Sequence, residues 1–382
     1  MVFVTVAAAG VLVVALFHVV AGWLFSNSLR RQTLLVGPRP QDLGVWVRAV
    51  SDGRIELESK QPRQDIGHPG ILGIRWPDGY AQVGDVVAAS DGRIIRAFTP
   101  GADGGPPVCM GDLANCEPVQ LDSYAYPSDP GDVDLDFSEV EYLSPLGPIG
   151  AWLVPSTDSS AWAVHCHGWT AERRELIRML PTFYRHGRTS LVIDYRGDPE
   201  APIDPTGHYR FGLSEWEDLE SAVRFALDLG GTDVVLTGCS TGSALVMAFL
   251  ERSELATEVS GVVLDAPNIV LVDTFRHAMR DLKSSQLIKE MGMWIADLRW
   301  RIDWEATNYV QRADRFLHVP TLVFHGSSDL TVPISSSRQL ETAVPDLVEL
   351  VETPAAGHVL SWNANPERYE TYLGRFLASI RT

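Results

Sequence analysis

From about residue 138 onward, short apolar runs rich in β-branched residues alternate with segments whose apolar residues recur every three or four positions. This alternation predicts an α/β fold, in which helices cover both faces of a mostly parallel sheet. The clearest helix is predicted over 214–229, where Ser214 and Glu217 have the spacing of a capping box and Leu219 and Val223 face the sheet. The strands are predicted at 149–154, 162–166, 190–194, 233–238, 261–264, 321–324 and 348–351.

More than fifty residues separate the predicted strand that ends at 264 from the strand that begins at 321. A crossover helix needs fewer residues, so we expect an inserted helical cap over about 268–315. Apolar residues in the cap repeat at helical spacing, which fits either a helix facing the core or a lid over an apolar substrate pocket. The repeating residues are Leu287, Met291, Ile295, Leu298 and Ile302, and bulky apolar residues around them are Met293, Trp294, Trp300 and Trp304.

Before the α/β pattern, residues 43–98 contain short runs of alternating apolar and polar residues separated by turn residues. These runs predict a small β-rich region. The pentapeptide Ser-Asp-Gly-Arg-Ile occurs at 51–55 and again at 90–94, and Asp-Gly between apolar runs predicts two similar hairpins. Residues 99–132 are rich in Pro, Gly and Asp, so we expect a linker or a long surface excursion there.

Residues 2–25 carry no charged side chain, and only Thr5 and His18 interrupt the apolar run. A helix of this length can cross the hydrocarbon layer of a membrane. The run lacks the basic start, short apolar core and clear cleavage site of a signal peptide, so we expect an uncleaved, single-pass anchor in the cell membrane. Arginines follow the run and none precedes it, so the positive-inside rule predicts that the large C-terminal part of the chain is cytoplasmic. These arginines are Arg30, Arg31, Arg39 and Arg48.

The 382-residue chain carries 49 acidic and 31 basic side chains, for a formal net charge of -18. This charge repels nucleic acid, so no nucleic-acid partner is expected. The length exceeds that of a typical single core, which favours either one large domain with additions or two domains. The expected organisation is a transmembrane helix over 1–26, a β-rich region and linker over 27–132, and an α/β domain over 133–382.

Four cysteines are too few for a disulfide framework in a chain of this length. Cys166 and Cys239 fall at predicted strand ends, where we expect them to be buried. Cys109 and Cys116 lie in the Pro/Gly/Asp-rich stretch at a spacing that suits a disulfide in an oxidising compartment. Such a bond would oppose the cytoplasmic placement. No Cys/His cluster accompanies the pair, so no zinc site is expected.

Candidate chemistry centres on Ser240, in the run Gly238-Cys-Ser-Thr-Gly242 between a predicted strand and a predicted helix. A sharp turn at this place would expose the serine hydroxyl. Serine is a poor nucleophile at neutral pH, so it needs a base and a third group that orients the base. Asp329 follows the strand at 321–324, and His358 follows the next strand. The order Ser, Asp, His therefore predicts a nucleophile, an orienting acid and a general base.

These three dispersed motifs make residues from about 138 to 380 resemble an α/β-hydrolase of the serine esterase, lipase and aminopeptidase type. The resemblance implies an oxyanion hole formed by the backbone N–H groups of Trp169, which follows His165-Cys-His-Gly168, and of Thr241. It also implies that no metal or other cofactor is needed. Asp194-Tyr-Arg-Gly197 resembles the family's Asp-x-Arg-Gly turn, although Asp198 stands where the family usually has Gly.

Alternatives exist for two of these residue assignments. Asp265 follows the strand at 261–264 and competes with Asp329 as the orienting acid, and the His-Gly-x-x-Asp setting favours Asp329. His165 and His167 are two residues apart, as metal ligands on one strand can be, but no carboxylate or cysteine cluster accompanies them in the sequence. We therefore expect structural hydrogen bonds from both histidines.

The expected function is that of a membrane-anchored serine hydrolase, which cleaves an ester, thioester or amide through a covalent acyl-enzyme. The expected partner is a small-molecule acyl substrate, and an apolar cap beside an anchor makes lipids candidates. A peptidase of aminopeptidase or prolyl-oligopeptidase type is the alternative among enzymes, although no propeller precedes the domain and no site for a cationic amine is apparent. A non-catalytic membrane-anchored binding protein with the same fold is an alternative of another class, which an intact triad disfavours.

Overall fold

The computed structural model describes residues 2–37, 44–60, 66–90, 92–99 and 105–380. The chain begins with helix α1 (Val2–Leu29), which continues into a widened helical turn over Arg30–Leu34. The helix is long and apolar enough to cross a membrane. Its large apolar side chains between Leu12 and Val20 are exposed, which distinguishes it from a helix inside a protein core.

The β-rich region forms a six-stranded antiparallel sheet with its own apolar core. Its strands are β1 (Val45–Ser51), β2 (Arg54–Ser59), β3 (Leu72–Trp76), β4 (Gly79–Ser90), β5 (Arg93–Phe98) and β6 (Gln120–Asp122), in the order β1-β2-β5-β4-β3-β6. Asp52 and Gly53 turn between β1 and β2 with φ values of 50° and 71°, the backbone that Asp-Gly favours in tight hairpins. Gly92 in the second copy also has a positive φ, and its neighbour Asp91 lies outside the described residues.

Part of the stretch that the composition suggested as a linker pairs with this sheet. Strand β6 pairs with β3, and isolated bridges join Val108 to Val47 and Val119 to Val45. A disulfide joins Cys109 to Cys116, whose Cα atoms are 5.5 Å apart. The short strand β6 and the isolated bridges were not predicted, because Pro and Gly obscure the pairing pattern of short edge segments.

The second sheet has eight strands in the order β14-β13-β12-β11-β9-β10-β8-β7. The six strands β10, β9, β11, β12, β13 and β14 run parallel to one another. At the other edge, β8 pairs antiparallel with β10, and β7 pairs antiparallel with β8. Every predicted strand of this sheet is present. The strands are β7 (Ser138–Ser144), β8 (Gly147–Val154), β9 (Asp158–Cys166), β10 (Arg188–Ile193), β11 (Asp233–Cys239), β12 (Val259–Asp265), β13 (Thr321–Gly326) and β14 (Val348–Thr353).

Helices pack on both faces of this sheet, which has one apolar core on each side. They are α2 (Leu180–Arg185), α3 (Trp216–Asp228), α4 (Thr241–Arg252), α7 (Ser335–Ala343), α8 (Ser361–Ala364) and α9 (Pro366–Ser379), with α5 (Leu271–Ala278) and α6 (Gln286–Trp300) in the cap.

The predicted capping box of α3 is wrong. The hydroxyl of Ser214 donates to Asp204, and the carboxylate of Glu217 accepts from Arg196. Glu215 instead accepts hydrogen bonds from the backbone N–H groups of Arg210 and Gly212 before the helix. Tertiary partners thus outcompete the local cap that the spacing suggested.

The cap contains the expected amphipathic helix, but only some of its repeating apolar residues are buried. Helix α6 ends at Trp300, so Ile302 lies beyond it. Leu287 and Leu298 are exposed, whereas Met291 and Ile295 pack against Gly22 of α1. The apolar partner of the cap helix is therefore the N-terminal helix.

The two sheets meet at the loop over residues 66–70. The buried guanidinium of Arg96 on β5 holds this loop by donating to the carbonyl groups of Ile66, His68 and Gly70. The loop packs so closely on Gly357 that an added Cβ there would lie 2.4 Å from the His68 ring. The β-rich region thus supports the segment that carries His358.

Candidate active site

Ser240 lies at a sharp turn between β11 and α4, with φ and ψ values of 49° and -116°. Its N–H donates to the Asp265 carbonyl and its carbonyl accepts from Asn268, which fixes the strained residue from the neighbouring strand. A Cβ on Gly242 would lie 2.3 Å from the Cys166 carbonyl oxygen, and one on Gly238 would lie 2.5 Å from the nitrogen of Ser243. The two glycines are therefore required for the close approach of helix and strand, as the motif predicts.

The structure brings Ser240, His358 and Asp329 into one hydrogen-bonded row. His358 Nε2 lies 2.8 Å from Ser240 Oγ, and His358 Nδ1 lies 2.8 Å from Asp329 Oδ2. The other carboxylate oxygen of Asp329 accepts from the N–H groups of Thr331 and Val332. These contacts hold the carboxylate rigidly, and they leave His358 Nε2 directed at the serine hydroxyl.

The electrostatics of this row favour an ionised Asp329. Burial favours the protonated carboxyl, but His358 and His325 outweigh it and hold the pKa of Asp329 well below its usual range. Burial also lowers the pKa of His358, but the charge and hydrogen bond of Asp329 raise that pKa above its ordinary value of 6.5. An imidazole with a raised pKa is a stronger base for a serine proton.

Asp265 lies beneath the serine and does not contact His358 through its carboxylate. The carboxylate accepts from the Tyr369 hydroxyl at 3.2 Å, and burial raises the pKa of Asp265 to about 6. The position of Asp265 at the end of its strand made it a candidate acid. In the structure, its backbone carbonyl accepts the N–H of Ser240 instead.

The loop after β9 passes next to Ser240. A Cβ on Gly168 would lie 3.2 Å from the Ser240 Cβ, and the Gly168 N–H donates to the buried carboxylate of Glu175 at 2.7 Å. The next residue is Trp169, one of the two predicted oxyanion-hole donors. The other, Thr241, is the first residue of α4, where N–H groups have no partner within the helix. Both N–H groups thus belong to backbone beside the serine.

His165 and His167 have different surroundings, and neither requires a metal ion. His165 is buried, lies 2.7 Å from the Thr237 hydroxyl, and burial lowers its pKa to about 3. His167 lies within 4.8 Å of oxygen atoms of Asp194 and Asp198, a cluster that the sequence concealed because the acids lie on the next loop. Its Nε2 is 3.0 Å from Asp198 and its Nδ1 is 2.9 Å from the Gly168 carbonyl, so a charged imidazole satisfies both contacts.

This ion pair explains the departure of the loop from the family pattern. Burial opposes the charge of His167, but Asp198 outweighs burial and raises the pKa of His167. Asp198 stands where the family usually has Gly, and the Tyr195 hydroxyl also donates to the Gly168 carbonyl. The sequence missed Glu175, Tyr195 and Asp198 as supports of this loop. Only the unusual Asp198 carried a signal that could have found one of them.

The cap and the end of α1 form one apolar cluster that reaches Trp169. The Trp169 ring contacts Phe211, Phe211 contacts Phe275, and Phe275 contacts Trp304, with ring centroids 5.2 to 6.4 Å apart. Ser240 itself is 8 % exposed. The ring of Trp169, the residue after Gly168, therefore begins an aromatic row that extends to the cap.

A strand-to-helix turn that presents a serine above a largely parallel sheet is typical of α/β-hydrolases. The chain belongs to the alpha/beta hydrolase family, which matches residues 163–371. The matched residues include all three members of the hydrogen-bonded row.

The structures of one esterase support the same fold. An esterase from Pyrococcus furiosus superposes in two crystal forms with TM-scores of 0.52 and 0.54 and sequence identities of 19% and 20%. The matches cover 66% and 67% of this chain and 96% and 95% of the esterase. An esterase from a Rhodococcus species is similar over 64% of this chain and 100% of its own, with 16% identity and a TM-score of 0.46. No curated protein sequence matches the chain.

Proposed function

We propose that this protein is a membrane-anchored serine hydrolase that cleaves carboxylic esters through a covalent acyl-enzyme. The observation that carries the proposal is the row of two 2.8 Å contacts from Ser240 through His358 to Asp329. The strained turn at Ser240 and the adjoining backbone of Gly168 and Trp169 support it, because acyl transfer needs a nucleophile and nearby amide donors.

In the proposed mechanism, His358 takes the proton of Ser240 while the serine oxygen attacks the carbonyl carbon of the substrate. The N–H groups of Trp169 and Thr241 stabilise the oxyanion, and His358 then gives the proton to the leaving alcohol. His358 then takes a proton from water, which attacks the acyl-enzyme carbonyl. Return of this proton to the oxygen of Ser240 releases the acid and restores the serine. Asp329 keeps the imidazole in the required tautomer and stabilises its charged form. No step uses a cofactor.

Ester cleavage is proposed over peptide cleavage because the Pyrococcus furiosus protein whose structures superpose on this chain is an esterase. The aromatic row that begins at Trp169 adds apolar surface near the site, which suits an acyl group.

A fluorophosphonate probe tests the class of enzyme. We expect the detergent-solubilised full chain to be labelled, and we expect Ser240→Ala to abolish labelling and to lower ester turnover by about five to six orders of magnitude. Ser243→Ala is a matched control, because Ser243 is buried on the same turn and donates to the Gly238 carbonyl. Labelling of Ser240→Ala at the level of the unaltered chain would disprove the proposal.

We propose α1 as the membrane anchor, because its exposed apolar surface suits contact with lipid. Residues 12–17, 19 and 20 are exposed, and the buried residues Gly22 and Ser26 contact α6. We further propose that the hydrolase domain faces an oxidising compartment, because the bonded pair Cys109 and Cys116 requires one. This orientation is the reverse of the one that the arginines after the apolar run predict.

A further inference from the structure

The peptide group between Gly168 and Trp169 is held by its carbonyl oxygen. That oxygen accepts from the Tyr195 hydroxyl at 2.9 Å and from the Ala171 N–H at 3.2 Å, and it lies 2.9 Å from Nδ1 of His167. In a planar trans peptide the N–H points opposite to the carbonyl. The groups that hold the Gly168 oxygen therefore also fix the direction of the Trp169 N–H, which is one of the two donors proposed for the oxyanion hole.

The contacts of the buried His167 ring require a proton on both of its nitrogens. Nε2 faces the Asp198 carboxylate at 3.0 Å, and Nδ1 faces the Gly168 carbonyl. The same carboxylate oxygen accepts from the Tyr195 N–H at 2.7 Å, which favours its ionised form. Either neutral tautomer of the imidazole would direct a lone pair at one of these two acceptors. The geometry thus favours the imidazolium form, which donates to both oxygens.

The charged and titratable groups around His167 support this form. Burial opposes the charge, but Asp198 outweighs burial, Asp194 adds to its effect, and the pKa of His167 rises to about 9. The Tyr195 ring stacks on the imidazole with centroids 4.6 Å apart, and burial raises the pKa of its hydroxyl well above 10. Arg173 lies 3.2 Å from Asp194, whose pKa burial raises to about 6. Within this group, His167 is therefore the residue whose charge changes on the alkaline side of neutrality.

Glu175 contacts the same loop from another element. It belongs to the helical turn over Arg173–Met179, and its carboxylate accepts from the Gly168 N–H at 2.7 Å. This contact orients the peptide group before Gly168, whereas His167 and Tyr195 hold the peptide group after it. The loop is thus fixed on both sides of Gly168, and the contact of His167 brings a positive charge to the carbonyl oxygen.

We propose that His167 in its charged form is a positioning residue for the oxyanion hole and acts through the peptide group between Gly168 and Trp169. The inference rests on the proposed ester hydrolysis, which supplies the oxyanion. A charged donor on a carbonyl oxygen polarises the peptide group and makes its N–H a stronger donor. When the imidazolium loses one proton, the charge of Asp198 keeps the other on Nε2, so Nδ1 then repels the Gly168 oxygen. Activity therefore declines at alkaline pH, although His358 is already neutral there.

The alkaline pH dependence of kcat/KM tests this role in the detergent-solubilised full chain, with nitrophenyl acetate as the ester. We expect kcat/KM to fall about tenfold as the pH rises from about 8 to about 10, since the charged fraction of His167 falls by that factor around a pKa of about 9. Recovery of the full rate after return to the lower pH separates titration from unfolding. A rate that stays level over this range would overturn the proposal.

Asp198→Asn changes the charge beside His167 and keeps the size of the side chain. We expect the alkaline midpoint to move to lower pH by about one unit or more, because an amide no longer favours the imidazolium. His165→Gln is the matched control, since His165 is a buried histidine that contacts Thr237 on the neighbouring strand, and its midpoint is expected to stay in place. An unchanged midpoint in Asp198→Asn would contradict the role of the charge, as would an equal shift in both variants.

Two further variants separate the charge of His167 from mechanical support of the loop. His167→Gln is expected to lose the alkaline fall, because the new amide does not titrate. Tyr195→Phe removes an uncharged donor from the same carbonyl, so we expect kcat/KM to fall about tenfold with the alkaline midpoint in place. An alkaline fall that persists in His167→Gln would overturn the proposal. Failure of the proposed function is distinguishable, because it is seen as absent fluorophosphonate labelling of Ser240 in the unaltered chain.

Discussion

Asp329 contacts His358 at 2.8 Å, whereas the carboxylate of Asp265 lies below the same turn and accepts from Tyr369. Asp265 ends β12 and Asp329 lies in the turn after the neighbouring strand β13, and only Asp329 contacts the histidine. Their different contacts allow a direct comparison of two carboxylates in one protein.

Asp329→Asn is expected to lower kcat by about four orders of magnitude, because an amide there favours the wrong tautomer of His358. Asp265→Asn is the matched control and is expected to lower kcat by less than about tenfold, because it touches the reacting groups only through the backbone. Steady-state kinetics on a nitrophenyl ester measure both. A larger loss for Asp265→Asn would assign the orienting role to Asp265.

The pH dependence of kcat/KM follows from the state of His358. The imidazole must be neutral to accept the serine proton, and Asp329 raises its pKa above 6.5. We therefore expect kcat/KM to fall tenfold per pH unit on the acid side, with a midpoint above 6.5. In Asp329→Asn the residual activity should show a lower midpoint. A midpoint that stays in place in this variant would refute the pairing of the two residues.

His167→Gln is expected to destabilise the protein by about 3–5 kcal/mol, because Asp198 would remain charged and buried without its partner. His165→Gln is the control and is expected to cost less, about 1–3 kcal/mol, since His165 is neutral and loses one hydrogen bond. Melting in detergent, followed by circular dichroism, gives the difference.

The same ion pair has a defined dependence on pH. The pKa of His167 is raised in the folded state, so its stabilisation is complete below the unfolded value of about 6.5 and is lost as pH rises through the folded value. The difference in melting temperature between the unaltered chain and His167→Gln should therefore shrink on the alkaline side. A difference that grows with pH would show that His167 is neutral.

Arg96→Met tests whether the β-rich region supports the catalytic loop. We expect this variant to lose about 2–5 kcal/mol of stability, because three loop carbonyl groups and that of Gly84 lose their donor. We also expect kcat to fall about tenfold with KM little changed, since the loop over 66–70 packs on Gly357. Arg93→Met on the same strand is the control, because Arg93 is partly exposed and pairs with Glu56 and Glu58. Equal effects of both variants would speak against a specific support.

The orientation in the membrane is measured with an impermeant maleimide on intact cells. We expect labelling from outside only after mild reduction, because Cys109 and Cys116 are bonded. The variant Cys109→Ser/Cys116→Ser should remain unlabelled in both conditions. Labelling that needs permeabilised cells but no reduction would restore the cytoplasmic placement that the arginines predict.

The parallel sheet was predictable because each buried strand is a nearly continuous apolar run, and Ser240, Asp329 and His358 each follow one of these strands. The turn at Asp52 and Gly53 was predictable for a local reason, the positive φ that this dipeptide tolerates. Features of this kind depend on a few adjacent residues, so they can be recognised from the sequence alone.

Features that depend on distant partners were not predictable. The contact of Asp198 with His167 crosses two loops, and the hydroxyl of Ser214 prefers Asp204 to its own helix. The apolar row of α6 has the periodicity of a core helix, yet the helix on which Met291 and Ile295 pack is at the other end of the chain. Periodicity shows that a face is apolar and does not show what covers it.

The contact between Gly22 and Met291 joins segments that are separated by most of the chain. During synthesis α1 emerges before α6, which follows only after most strands of both sheets have been made. The cap therefore closes on α1 late. A fragment that starts after α1 would expose Gly292 of α6 and would lose the hydrogen bonds from Arg299 to Ser26 and Asn27. Removal of α1 is thus expected to alter the cap.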